Sequence, residues 1–182
     1  DCRHLANVTF SNGLKAIESE AFAGCVSLTS IDLPKSVKFL GHYAFFWCDA
    51  LKSVTIPFVG CFEGATKDEG MMSYVFSGIV TNNLEEVNIL EGSKRIENKA
   101  FWYFVSLKKI NIPSSIIYIG SSAFQGCTSL TNITIPSNVK YIGKDTFFDC
   151  SLLTIDCEDN SKISNWDENW NSDNCIVNLR IS

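Results

Sequence analysis

The sequence predicts a solenoid of the α/β class, in which stacked repeats contribute one strand each to a parallel sheet. Three observations lead to this prediction: a fixed spacing, a residue pattern shared by the copies, and a core too small within any single copy. The leucines that open the copies recur at one constant interval, except for a single longer gap between Leu51 and Leu84. They are Leu5, Leu28, Leu51, Leu84, Leu107 and Leu130. Self-similarity at a fixed period of roughly 20 to 50 residues is typical of repeat architectures.

The copies share the pattern L-x-x-I-x-I-P-x-x-V-x-x-I-G-x-x-A-F-x-x-C-x-x, and the copy that begins at Leu28 fills it almost completely. Ile31 and Leu33 alternate with period two, which predicts a strand whose apolar side chains face inward. Pro34 ends the strand because it lacks the N–H that a parallel ladder requires. Seven strands are predicted, near residues 5–10, 28–33, 51–56, 84–89, 107–112, 130–135 and 152–157.

Glycine and phenylalanine follow in the second half of each copy. Gly41 stands at a corner, where the absence of a side chain lets the chain turn. Each copy has too little apolar surface to fold alone, so stacking must complete the core. We expect the phenylalanines at equivalent positions to form one buried row. These are Phe45, Phe101, Phe124 and Phe147.

Five of the eight cysteines also occupy one repeat position, namely Cys2, Cys25, Cys48, Cys127 and Cys150. Equivalent positions of neighbouring repeats lie about 4.8 Å apart, but parallel Cβ vectors leave the Cβ atoms too far apart for a disulfide. We therefore predict buried free thiols. Cys61, Cys157 and Cys175 lie outside this column, and a Cys157–Cys175 disulfide stays an open alternative because spacing does not fix connectivity. A zinc site is disfavoured because no C-x-x-C pair accompanies these cysteines.

The cycle Ile-Gly-x-x-Ala-Phe-x-x-Cys-x-x-Leu-x-x-Ile-x-Ile-Pro resembles the BspA-like class of leucine-rich repeats over nearly the whole chain. The resemblance implies a leucine-rich repeat solenoid, or horseshoe, of a class found in secreted and surface proteins of bacteria and some protists. It also implies an extracellular interaction surface, often linked to adhesion, and no catalytic machinery.

The period and the resemblance together predict a single leucine-rich repeat domain over residues 1–182, with about seven repeats. An irregular insert at residues 60–83 accounts for the longer gap. Residues 158–182 are expected to form a C-terminal cap, in which Trp166 and Trp170 cover the open end of the solenoid. The first residues already lie in the middle of a copy, so we expect the chain to be a fragment of a longer one.

Composition excludes several classes of protein. A hydrophobic content of 46% with 19% charged residues is typical of a globular chain. The net charge of −5 argues against nucleic acid as a partner, because such proteins carry a basic stripe. No apolar run approaches the roughly 20 residues that a membrane-spanning helix requires. Acidic residues near the end match no calcium loop, so we predict neither a metal nor another cofactor.

An enzyme is disfavoured by the lack of catalytic groups in a plausible pattern. The two histidines, His4 and His42, occupy variable surface positions of the repeat. Cys61 has no base paired with it in the sequence, and no hydrolase, phosphate-loop or dinucleotide motif is present. We therefore predict a protein without catalytic activity.

Two groups of residues are candidates for binding a partner. The first consists of aromatics that the repeat pattern does not require: Trp47, Trp102, Tyr103, Tyr74 and Phe76. These five are predicted to converge on one apolar patch beside the insert. The second group lies on the outward face of the concave sheet, where Glu86 and Lys109 are the candidate pair.

The predicted function is a non-enzymatic extracellular module that binds a host or matrix protein, in adhesion or host interaction at the cell surface. Two alternatives stay open. In one, the chain is a structural repeat spacer that presents another domain; in the other, it binds carbohydrate through its surface aromatics.

Overall fold

The computed structural model describes residues 2–76, 83–159, 161 and 163–179. In these residues the strands are, in chain order, β1 (Ala16–Ile17), β2 (Ser30–Asp32), β3 (Phe39–Leu40), β4 (Ser53–Ile56), β5 (Glu86–Ile89), β6 (Arg95–Ile96), β7 (Lys109–Asn111), β8 (Tyr118–Ile119), β9 (Asn132–Ile135), β10 (Tyr141–Ile142), β11 (Thr154–Cys157) and β12 (Ile176–Leu179). Helical structure among them consists of the one-turn helix α1 (Ser73–Phe76) and 3-10 turns at Lys67–Gly70 and Ile163–Asn165.

The longer strands form a parallel sheet with one strand per repeat. Hydrogen-bonded neighbours follow the orders β2-β4-β5-β7 and β9-β11-β12, and β9 lies beside β7. Alternate side chains point into the core, as the buried Val87 and Ile89 of β5 illustrate. The predicted parallel leucine-rich repeat solenoid is therefore confirmed.

The two-residue strands form a second set of parallel pairs along one flank of the solenoid. β1 pairs with β3, and β6, β8 and β10 pair in that order. Glycine follows each of several short strands because the neighbouring turn passes too close for a side chain. A Cβ atom on Gly120 would lie 2.5 Å from the backbone nitrogen of Asn98. Close approach, not a left-handed backbone, thus explains this glycine of the repeat pattern.

Stacked aromatic rings run through the core along the solenoid. Phe101, Phe124 and Phe147 stack with centroid separations of 5.5 and 5.6 Å and nearly parallel planes. In the N-terminal half, Phe45 stacks on Phe22 at 5.5 Å and on Phe76 at 5.4 Å. All four phenylalanines of the predicted row are buried, as expected. The ring contacts among the described residues form two stacks and not one row, with Phe76 at the end of the first and Phe101 at the start of the second.

The insert supplies the core residue that its repeat otherwise lacks. Phe76 lies further along the chain from Leu51 than Phe45 does from Leu28, so it falls off the repeat period. Its short helix α1 is held from one side, where the Phe45 backbone N–H donates to the carbonyl of Val75 at 3.1 Å. The opposite side is held at Met72, whose N–H donates to the carbonyl of Ala100 at 2.9 Å. The extra residues are thus folded into the solenoid between two regular turns.

Other buried side chains of the insert share its core with the flanking repeats, namely Phe58, Val59, Cys61, Met72 and Val75. The insert also reaches the short strands, since the Leu40 N–H donates to the carbonyl of Cys61 at 2.7 Å. It therefore occupies the place between β3 and β6 where a regular repeat has a short strand.

At the ends of the sheet one prediction is wrong, and one strand was not predicted. Residues 5–10 form no strand; Leu5, Val8 and Phe10 instead pack half-buried against the core. Beyond the last predicted strand, β12 pairs in parallel with β11 and extends the sheet. Its spacing from β11, where Thr154 faces Ile176, is the same as the spacing between β9 and β11, but no leucine opens the segment, so the repeat pattern alone does not reveal the strand.

The predicted tryptophan cover at the C-terminal end agrees with the packing. Trp166 is buried, and its ring meets that of Trp170 at 5.0 Å. Trp170 in turn packs edge-on against Phe147 at 6.1 Å and so ends the second aromatic stack.

Four of the five column cysteines are buried free thiols, as predicted: Cys25, Cys48, Cys127 and Cys150. Sγ atoms of this column also donate to the carbonyl of a core phenylalanine in the preceding repeat, for example from Cys127 to Phe101 at 3.2 Å and from Cys150 to Phe124 at 3.1 Å. Burial raises the pKa of Cys48 to about 12. Its thiol therefore stays protonated at neutral pH.

One expectation about cysteine is wrong, and one open alternative is not realised. Cys2 is exposed, although the Leu5 N–H donates to its carbonyl as in other repeats. Cys157 and Cys175 are both free. Cys157 faces Leu179 in the strand pairing, and Cys175 comes four residues before Leu179. The offset along the strand between the two cysteines is therefore on the order of 13 Å.

Candidate functional site

The outward side chains of β4, β5 and β7 form a polar strip, here named the sheet face. Its members pair across neighbouring strands as Ser53, Glu86 and Lys109 in one row and as Thr55, Asn88 and Asn111 in the next. They line a shallow depression of about 260 Å³. Because strand pairing fixes the backbone under each of them, these side chains project from a rigid base.

Three charged residues, each immediately before one of these strands, form ion pairs with one another. The Glu85 carboxylate lies 2.8 Å from the Lys108 ammonium and 3.3 Å from that of Lys52. The hydrogen bond from Lys108, together with that from Lys52, lowers the pKa of the Glu85 carboxyl below its ordinary value. This network is explained by cross-strand pairing alone and needs no ligand.

Glu86 and Lys109 behave differently from the neighbouring charges. They face each other across β5 and β7, and both side chains are exposed. No ion pair within 4.0 Å joins them in the described part of the chain, where Glu85 takes both nearby lysines. The sheet face therefore presents one negative and one positive group that are available to a partner.

An amide pair closes the adjacent row of the sheet face. The Asn111 side-chain amide donates to the Asn88 oxygen at 2.9 Å. The repeat pattern gives no reason to expect this bond, although both residues hold the same position in consecutive copies. Their alignment fixes the two amides and leaves their remaining donor and acceptor groups directed to solvent.

One group of aromatic rings lies at the far side of the repeat that begins at Leu28. Trp47 is 54% exposed and stacks on Phe46 with a centroid separation of 4.6 Å. Phe46 meets Tyr43 at 5.6 Å, and His42 links this group to Tyr74 at 5.3 Å. Tyr43 was not among the aromatics that the sequence indicated, although it lies two residues before the phenylalanine position of the pattern.

A second group consists of Trp102 and Tyr103, whose rings meet edge-on at 4.7 Å. Lys99 lies over the Trp102 ring at 5.5 Å, and the Tyr103 ring covers Gly126 in the next repeat. Both aromatic groups contain candidates from the sequence. Among the described residues, no ring contact joins the two groups.

The backbone at Trp47 and Tyr103 is unusual for aromatic residues. Both have a φ of 55°, in the left-handed region, where the equivalent Gly24 and Gly126 also lie. A side chain in this region costs roughly 1 kcal/mol or more relative to glycine. The fold thus imposes a left-handed backbone at this repeat position. It does not require an aromatic side chain there, since other repeats have glycine.

Phe76 is not a surface residue, and its prediction as part of a binding patch is wrong. Its ring is fully buried because it completes the aromatic stack on Phe45. Tyr74 is half-buried on the other side of the same short helix. A convergence of all five aromatic candidates is therefore excluded by the position of Phe76.

Among the described residues, no group of three or more His, Cys, Asp or Glu side chains is placed to hold a metal ion. Within the same residues, no helix has the length and apolar character needed to cross a membrane.

Comparison with known proteins gives a consistent assignment. A family model described as a BspA type leucine rich repeat region matches six copies over residues 1–63 and 69–174. Among curated protein sequences, none matches the chain significantly. The stacked parallel strands and the strand-built polar face define a leucine-rich repeat protein, a repeat fold of the protein-interaction type. The chain belongs to the BspA-type leucine-rich repeat family.

One solved structure of a bacterial leucine-rich repeat protein is similar in fold, and two further ones match at lower TM-scores. One from Bacteroides ovatus has a TM-score of 0.58 and 21% identity, covering 93% of this chain and 52% of its own. One from T. pallidum has a TM-score of 0.42 and 29% identity, covering 79% of this chain and 52% of its own. A leucine-rich cell surface protein from Faecalibacterium prausnitzii has a TM-score of 0.38 and 19% identity, covering 84% and 62%. The chain thus spans about half the length of the first two proteins.

Proposed function

We propose that the chain is a non-enzymatic protein-binding module that works outside the cell or at its surface, in adhesion or host interaction. Its main contact is the depression in the sheet face. The observation that carries this proposal is the pair Glu86 and Lys109, two exposed opposite charges that face each other without forming an ion pair.

The rigid backbone of the sheet face and its charges of both signs support this proposal. The depression spans three hydrogen-bonded strands, so a partner meets side chains whose backbone positions are already ordered. Ordering these groups on binding therefore costs little conformational entropy, which favours affinity. Unpaired charges of both signs also discriminate between partners, because a like charge placed against either of them is repelled.

The extracellular location is inferred from family membership. The BspA-like class, as the sequence resemblance implies, occurs in secreted and surface proteins. The protein partner is accordingly a host or matrix protein. The buried thiols fit either a reducing or an oxidising compartment, since none of the described cysteines depends on a disulfide.

Charge exchange on the sheet face tests this proposal. The double variant Glu86→Lys/Lys109→Glu keeps the net charge and is compared with wild type for binding to immobilised collagen, laminin and fibronectin. We expect the affinity for whichever of these binds to fall by about tenfold or more, because both charges meet the wrong sign in the partner. A matched control, Glu18→Lys/Lys144→Glu, makes the same exchange away from the sheet face and keeps its affinity.

A Trp47→Ala/Trp102→Ala variant separates the two candidate surfaces. Retained affinity supports the sheet face as the site. Loss of affinity in this variant, with no effect of the Glu86 and Lys109 exchange, would transfer the site to the aromatic groups. If the wild-type chain binds none of the three proteins while remaining folded, the spacer alternative gains support.

A further inference from the structure

Lysine recurs immediately before the short strands of the flank. Lys15, Lys38, Lys94 and Lys140 precede β1, β3, β6 and β10, respectively, and Ile117 holds the same position before β8. All four lysines are exposed. Together these four lysines form the lysine stripe.

Backbone hydrogen bonds show that the stripe is continuous within each half of the solenoid. The Lys38 N–H donates to the Lys15 carbonyl at 2.7 Å. In the other half, Ile117 donates to Lys94 at 2.9 Å and Lys140 donates to Ile117 at 2.9 Å. Successive members are therefore separated by the strand spacing of about 4.8 Å per turn, so their ammonium groups form a row along the axis.

The charges of the stripe are available to a partner. In the described part of the chain, none of the four lysines has a carboxylate within 4.0 Å, whereas Lys52, Lys108 and Lys144 are paired. Nearby Glu91 keeps its negative charge but is held away from an ion pair with these lysines, because it accepts hydrogen bonds from the backbone and hydroxyl of Ser114 at 2.9 Å. A row of free cations on a chain with a net charge of −5 is a local exception that favours an anionic partner.

Aromatic residues beside the stripe indicate which polyanion fits. Tyr118 has Arg95 over one face at 3.7 Å and stacks on Tyr141 at 5.3 Å. Its ring is thus enclosed and cannot serve as a platform for nucleic acid bases, which single-stranded binders require. A partner that offers charges and hydroxyl groups, and needs no stacking, matches this surface better.

We propose that the lysine stripe binds an anionic polysaccharide, whose sulfate or carboxylate groups recur along the chain as the lysines recur along the flank. This site is distinct from the depression in the sheet face and does not depend on it. Its contacts are charge-assisted, so affinity depends strongly on salt.

The insert divides the stripe with a negative charge. Exposed Glu63 lines both depressions beside the stripe: one of about 170 Å³ with Lys35, Lys38 and Glu91, and another of about 210 Å³ with Lys94 and the ion pair of Arg95 with Glu97. A polyanion that follows the whole stripe must pass this carboxylate. Removal of its charge in Glu63→Gln should therefore strengthen binding.

The experiment measures binding of the full chain to heparin, hyaluronate, neutral dextran and single-stranded DNA. The stripe variant replaces Lys15, Lys38, Lys94 and Lys140 with glutamine. The control variant replaces Lys52, Lys99, Lys108 and Lys144 with glutamine and has the same net charge. Circular dichroism and urea unfolding confirm that both variants are folded.

We expect wild type to bind heparin or hyaluronate and not dextran, and the stripe variant to lose about tenfold or more in affinity, with a log–log salt slope reduced by about 3. The control should keep most of the affinity, and Glu63→Gln should bind more tightly than wild type. Equal losses in the two lysine variants would overturn the proposal, because net charge alone would explain them. Absence of binding to either charged glycan at low salt, or tighter binding to DNA, would also overturn it.

Discussion

The repeat that begins at Leu107 and the one that begins at Leu51 solve the same packing problem with segments of different length. In the regular repeat, Gly120 is followed closely by Phe124, which fills the core. In the longer repeat, the one-turn helix α1 delivers Phe76 to the equivalent layer. A phenylalanine in this core layer is therefore required, while the segment that leads to it varies in length and conformation.

The largest expected effect tests whether the two phenylalanines are equivalent. Truncation in Phe124→Ala should lower the free energy of unfolding by about 3–5 kcal/mol, as is usual for a fully buried phenylalanine. Phe76→Ala should cost a similar amount, because its ring is also fully buried and stacked on Phe45. Urea unfolding measures both. A loss below about 1 kcal/mol for Phe76→Ala would show that the insert does not complete the core.

A medium effect is expected at the tight corners of the two repeats. A Cβ atom would lie 2.5 Å from backbone atoms both at Gly120 and at Gly60, and Gly60 also has a φ of +98°. Each change to alanine should lower the free energy of unfolding by about 1–3 kcal/mol, because the backbone must shift. Gly13→Ala serves as the control, since nothing lies within 4 Å of its Cβ position. If Gly60→Ala is as neutral as the control, the insert is looser than the regular repeat.

A smaller effect concerns pH and the buried thiols. Burial raises the pKa of Cys61, in the insert, from 9.0 to about 11. The folded state thus favours the neutral thiol, so this stability is fully present below pH 9 and is lost as the pH rises toward 11. Urea midpoints of wild type and Cys61→Ala at pH 8 and pH 10.5 measure the difference. The alkaline loss should be smaller in Cys61→Ala, and an identical loss in both would contradict burial of this thiol.

The smallest effect is expected where the two kinds of repeat share a surface charge. Glu85 pairs with Lys52 of the longer repeat and with Lys108 of the next regular strand. Replacement of either lysine by alanine should leave the thermal midpoint unchanged at physiological salt, because solvent screens exposed pairs. A clear drop in Lys52→Ala alone would indicate that this pair holds the longer repeat in register.

Much of the fold follows from local pattern. The longer strands were predictable because each repeats the same alternation before a proline or its equivalent; they are β2, β4, β5, β7, β9 and β11. Burial of Phe101, Phe124 and Phe147 followed from their equivalent positions. The repeat period and the alternation of apolar residues are both visible in the sequence, so they predict these features without knowledge of tertiary contacts.

Features that depend on neighbours were not predictable in this way. Phe76 lies off the repeat period, so nothing marked it as a core residue. Cys2 holds the cysteine position but is exposed, because burial of this column depends on contact with a neighbouring repeat, as between Cys127 and Phe101. On the sheet face, alternation predicted that Glu86 and Lys109 are exposed, but the preference of Glu85 for both adjacent lysines decides which charges stay unpaired.

The pairing of β4 with β5 has a consequence for how such a chain diversifies. Ser53 faces Glu86 and Ile56 faces Ile89, in the same register as between regular repeats, although the insert lengthens the connection between the two strands. This insertion on the flank therefore leaves the spacing of the sheet-face side chains unaltered. One side of the molecule is thus able to gain or lose segments by mutation while the other keeps its geometry, so the two proposed sites would be able to evolve independently on one scaffold.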